Sequence, residues 1–168
     1  MFSFPNPVNE VSARLVAGGV VVLCVATIAL DQPWLLALLA YGFTARVLTG
    51  PTLSPWGQVV TRLLTPNLPF APKYVPGPPK RFAQGIGATL SVGAVIAYFG
   101  FGSSTIAFVL VGMIAAAATL ESVFAICLGC KLFAVLMRIG LVPDEVCESC
   151  NDLWGNRPAA DAMTSGDA

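Results

Sequence analysis

Four of the five cysteines stand in two pairs of identical spacing, Cys127-Leu128-Gly129-Cys130 and Cys147-Glu148-Ser149-Cys150. Two Cys-x-x-Cys pairs separated by sixteen residues match the spacing of a four-cysteine zinc site. The same residues suit a second chemistry, in which a pair cycles between dithiol and disulfide or carries sulfur as a persulfide. The fifth, Cys24, lies in an apolar stretch and reads as a small buried side chain. The chain has no histidine, which removes Ser-His and Cys-His triads and the commonest metal ligand together.

The two pairs differ in their surroundings. On a helix, Cys127 and Cys130 share a face with Lys131, Ala134 and Arg138, and two cations beside a thiol raise its thiolate fraction. The same cations also suit a helix end anchored among lipid headgroups. Asp144, Glu145 and Glu148 beside the second pair work in the opposite direction. Cys127 and Cys130 are therefore the expected working thiols, tuned by Lys131 and Arg138. Cys147 and Cys150 are expected to be a partner pair or, in the alternative, to complete a zinc site with the first two.

Glu121 is the one ionisable residue well inside the later apolar runs. A charge at such depth costs about 2.5–3.5 kcal/mol even on lenient scales. Arg14 and Arg46 sit at matching depths, so an ion pair of Glu121 with one of them is the structural expectation, and proton handling is its rival. Helical phase groups Glu121 with Ala117, Ala125 and Gly129 and turns it away from Cys130.

These residues need elements to hold them, and composition sets the class. The 168 residues are 56% hydrophobic and only 11% charged, against roughly 25% in soluble domains, too few polar groups to cover a water-facing surface. Nine basic and nine acidic residues cancel, which leaves no basic footprint for nucleic acid. The fold expected is all-α, an integral membrane four-helix bundle with spans at about 8–30, 34–48, 82–101 and 105–139. Asn6-Pro7 reads as the first helix start, with Glu10 pairing to Arg14 one turn on. The first span is too long for a signal-peptide core and reads as a retained helix. Residues 49–81 form a proline-rich cytoplasmic loop. In it Trp56, Val59, Val60, Leu63 and Leu64 follow helical spacing, as in a short interfacial helix, and 71–79 read as extended. Gly85, Thr89, Gly93 and Ala97 form a stripe of small residues for close helix packing. The fourth run has no breaker and would reach about 50 Å, so its end, from about Ile126, emerges at the surface. Residues 1–142 make the membrane domain, 143–158 a cytoplasmic cysteine segment and 159–168 a disordered tail. With four spans every Lys and Arg falls on the side of the N-terminus. The positive-inside rule then makes this a multi-pass protein of the cytoplasmic membrane with both termini cytoplasmic.

Three motifs in order, Phe4-Pro5-Asn6-Pro7-Val8-Asn9-Glu10, the stretch 77–87 and Cys127-Leu128-Gly129-Cys130, resemble a family of small bacterial membrane proteins catalogued as domain of unknown function 4395. The resemblance runs to about Val142. It implies four helices and, since members are often encoded near thioredoxin-like proteins and rhodanese-type sulfurtransferases, thiol or sulfur traffic. The function expected is a membrane-bound thiol protein that exchanges electrons or sulfur with such a cytoplasmic partner. The alternatives are a zinc-clipped scaffold and a transporter of a small sulfur species, the latter resting on Glu121 and the small-residue faces. Besides the lipid bilayer and that partner, the sequence admits a homo-oligomer.

Overall fold

The computed structural model describes residues 6–69 and 73–142. The fold is all-α apart from one two-residue strand pair. Strand β1 (Val8–Asn9) runs antiparallel to β2 (Tyr74–Val75), with Val8 opposite Val75. Helix α1 (Glu10–Leu30) starts where Asn9 Oδ1 accepts the Val11 N–H at 3.0 Å, so Asn9 and not Asn6 is its cap. Asn6 instead accepts the Gly77 N–H at 3.0 Å, in place of a side-chain cap on the helix that begins there. The strand pair brings Lys73 beside Glu10, and those two form the ion pair (2.9 Å) expected of Glu10 and Arg14.

Asp31, in the left-handed region, ends α1, and Pro33 opens α2 (Pro33–Thr49). The loop that follows holds α3 (Pro55–Val59), capped by Ser54, a π-helical stretch (Val60–Leu64) and α4 (Thr65–Asn67). This is the short helix that the spacing of Trp56 and Leu63 predicts. Both of those side chains are exposed while Val60 is fully buried. The Trp56 ring lies on Gly19, where a Cβ would overlap it. Of the loop region 71–79, residues 71 and 72 lie outside the described residues, and Tyr74–Val75 is extended as expected. Gly77, Pro78 and Pro79 are helical and not extended, because prolines in the first turn of a helix forgo no intrahelical N–H bond.

Helix α5 (Gly77–Val95) continues through a π-helical stretch (Ile96–Gly100), and α6 (Ser104–Phe124) starts at a Ser103 cap. Helix α1 packs along α6, and α2 along α5, around Val20, Cys24, Leu36, Leu39, Val111 and Ile114. The face of α5 turned inward carries Gly87, Ser91 and Ala94. Gly85 and Thr89 of the expected small-residue stripe do not make the close approach: nothing lies within 4 Å of a Cβ built at Gly85, and Thr89 is exposed. Gly87 makes it instead, against the Phe43 ring.

The outer surface is apolar, with Val22, Val25, Trp34, Phe99, Val109 and Phe124 all exposed. Three helices, Glu10–Leu30, Gly77–Gly100 and Ser104–Phe124, are long and apolar enough to cross a membrane, and Pro33–Thr49 is a shorter apolar helix of 17 residues. At 1.5 Å per residue α2 is about 26 Å long, just under the roughly 30 Å of a hydrocarbon core. The run expected to be one helix over 105–139 is two, because it breaks after Phe124 and resumes as α7 (Leu128–Arg138). Pro143, the cysteine segment 143–158 and the tail 159–168 lie outside the described residues.

Candidate functional site

The break between α6 and α7 builds the site. Ala125 takes a left-handed conformation (φ 56°), and its N–H and that of Ile126 both reach the Leu120 carbonyl, which closes the helix. Arg14 donates from Nε to the Ser122 carbonyl and from Nη2 to that of Val123, each at 3.1 Å. A cation is thus fixed at the negative end of α6, where it satisfies carbonyls that have no helical partner. Arg14 is accordingly not the partner of Glu121.

Cys127 is extended (φ −87°, ψ 103°) and caps α7, its Sγ accepting the Cys130 N–H at 3.2 Å. The two cysteines form a disulfide with their Cα atoms 5.2 Å apart. They do not share a face of one continuous helix, as the unbroken sequence implied. Cys127 stands just ahead of the helix and Cys130 in its first turn. Of the two cations expected beside them, Lys131 follows Cys130 directly. Arg138 is at the far end of α7, about 12 Å from Cys130 along the axis. The positive N-terminal end of α7 itself is the nearer source of potential for a thiolate at Cys127.

What seats α7 is a contact with α5. A Cβ at Gly129 would stand 2.5 Å from the Cβ of Ala83 and 2.6 Å from its Cα, so only glycine fits. One residue earlier on α5, Phe82 packs its ring 5.6 Å from that of the buried Phe133. The glycine inside the motif therefore has a packing role that its spacing alone did not reveal.

Glu121 pairs with Lys80 at 2.5 Å, both side chains largely buried, and not with Arg14 or Arg46. The reason is the order of helices: α6 packs chiefly against α1 and α5, while Arg46 projects from α2. Lys80, in the first turn of α5, opposes the dipole of its own helix, which the Glu121 carboxylate offsets. Arg46 is buried with its guanidinium 4.6 Å over the Phe43 ring, and its Nε has no hydrogen-bond partner.

Helical phase turned Glu121 away from Cys130, and the two do not share a cavity, but the helix break brings Cys127 onto the cavity that Glu121 borders. Cys127, Glu121, Gln84, Phe43 and Met113 border one cavity of about 290 Å³, and Gln84 Oε1 is buried without a hydrogen-bond partner. Cys130 does not border it. A larger cleft of about 1160 Å³ between α1 and α2 touches Arg14, Arg46 and Trp56 but no cysteine. Cys24 is fully buried, as expected.

Cys147 and Cys150 lie outside the described residues, and among the described residues no three Cys, Asp or Glu side chains gather as a metal site. Lys80 and Gln84 stand in the stretch 77–87, whose basic residues and glutamine suit an anion or a lipid headgroup by sequence. The sequence did not show Lys80 as the partner of Glu121 or Gln84 on the cavity with Cys127. A lysine in the first turn of a helix is a usable signal, because it needs a nearby carboxylate.

A family model described as Domain of unknown function (DUF4395) matches residues 8–138, from β1 to the last residue of α7 and including Cys127 and Cys130. The chain belongs to that family. No curated protein and no solved structure matches it.

Proposed function

We propose that the chain is a four-span protein of the cytoplasmic membrane, both termini cytoplasmic, whose Cys127–Cys130 pair exchanges electrons with a thioredoxin-like or rhodanese-type partner. The observation that carries this is the position of Cys127 as the cap of α7, bonded to Cys130 in the first turn. A helix N-terminus stabilises a thiolate, which makes Cys127 a good leaving group in thiol–disulfide exchange. A partner thiolate attacks Cys130 Sγ, the Cys127–Cys130 bond breaks, and the electron pair stays on Cys127. The partner's second thiol then displaces Cys130, leaving the partner oxidised and this pair as a dithiol. Cytoplasmic disulfides are ordinarily transient and catalytic, which agrees with an exchanging pair and not a static one.

The membrane arrangement is supported by the three long apolar helices, by α2 with Trp34 at one end and Arg46 near the other, and by an apolar outer surface. Labelling of Gln32→Cys from outside and of Lys73→Cys from the cytoplasm is expected, and the reverse pattern overturns the orientation. Differential alkylation in intact cells tests the chemistry. Cys127 and Cys130 should shift together between thiol and disulfide when the cytoplasm is made oxidising and then allowed to recover. A pair locked in one state throughout contradicts the reading.

A further inference from the structure

A pair reduced by a cytoplasmic partner must pass its two electrons on. Resting on the exchange proposed above, we infer that the acceptor is a membrane quinone whose ring occupies the cavity between Cys127 and Gln84. At about 290 Å³ the cavity sits at the lower end of ligand pockets, roughly 300–1,000 Å³, and has room for one substituted ring. It reaches from Glu121 to Met113 along α6, about 12 Å towards the bilayer interior. Met113 and Leu132 on its border are exposed on the apolar outer surface, so the approach is from lipid. Its polar groups suit a neutral ligand: Lys80, the cation that reaches Glu121, is already paired with it. Gln84 Oε1 is a buried acceptor that lacks a donor, and a hydroquinone hydroxyl supplies one.

The step balances. The Cys127 thiolate adds to a ring carbon, forming an S–C bond while one quinone oxygen takes the electron pair and a proton. The Cys130 thiolate then attacks Cys127 Sγ. The S–S bond forms, the S–C bond breaks, and the ring leaves with its electron pair and takes a second proton. Dithiol and quinone have become disulfide and hydroquinone, with the two protons supplied overall by the two thiols. Electrons enter at Cys130, which does not border the cavity, and leave through Cys127, which does.

The test uses the full chain in detergent, reduced, freed of reductant and kept anaerobic, with decylubiquinone as the probe. One hydroquinone per chain should form as two thiols disappear, and Cys127→Ser should abolish it. Gln84→Met keeps the side-chain shape but removes the acceptor. It should weaken binding of the reduced probe, decylubiquinol, to the disulfide form roughly three- to tenfold, the worth of one hydrogen bond, while decylubiquinone, which has no hydroxyl to donate, binds within about twofold of the parent. The folded protein should be no less stable, because an orphaned buried acceptor has gone. If the reduced protein forms no hydroquinone yet its disulfide still reacts with a thioredoxin, the quinone inference is overturned and the exchange reading stands. Unchanged decylubiquinol binding in Gln84→Met overturns the assigned site. Failure of both reactions overturns the exchange reading beneath it.

Discussion

Gly129 and Ala83 meet so closely that a Cβ on Gly129 would stand 2.6 Å from the Ala83 Cα, inside any real carbon–carbon contact. This approach ties the Cys-x-x-Cys helix to α5, one residue from Gln84, and fixes where Cys127 meets its cavity. The glycine inside the motif is therefore part of the site's geometry.

Gly129→Ala is expected to push α7 off α5 and cost about 1–3 kcal/mol, the usual range for overpacking. Gly85→Ala on the same α5 meets nothing within 4 Å and should be neutral or gain up to about 1 kcal/mol. Thermal unfolding in detergent compares them. Equal effects would mean that the Gly129–Ala83 contact does not hold α7.

Glu121→Gln or Lys80→Gln alone leaves the other charge buried without its partner, a loss of about 3–5 kcal/mol. The double variant Lys80→Gln/Glu121→Gln should recover most of it. Arg46→Gln/Glu121→Gln should recover little, because Arg46 is not bonded to Glu121. A thermodynamic cycle over these variants reads the coupling directly, and recovery through Arg46 would contradict the Lys80 pairing.

Much of this was legible in the residues, and the exceptions have physical causes. Apolar runs bounded by Asp31-Gln32-Pro33 and by the proline-rich loop located the helices, and Trp56 to Leu64 announced the short helix between them. The break at Ala125 was hidden because neither glycine nor proline marks it. It is held instead by Arg14, 108 residues away from the Ser122 carbonyl it binds. That break takes Cys127 off the shared helix face with Cys130 and onto the cavity beside Glu121. The partner of Glu121 was misassigned because depth was matched for Arg14, Arg46 and Glu121, whereas helix order, which depth does not reveal, selected Lys80.

The zinc alternative needs Cys147 and Cys150, which the family match to residues 8–138 does not include. The double variant Cys147→Ser/Cys150→Ser should retain disulfide exchange at Cys127 and Cys130. Protein purified without chelator should carry far less than one zinc per chain. Stoichiometric zinc that is lost in that variant would favour the scaffold reading.

The most direct test of the central claim is capture of a mixed disulfide. The oxidised full chain is mixed with purified thioredoxin whose resolving cysteine has been replaced by serine, and the adduct is mapped by peptide mass. The account predicts a one-to-one adduct through Cys130, cleaved by reductant, with the Cys127 thiol free to alkylation. No adduct, or an adduct that persists in Cys130→Ser through Cys24, would contradict it.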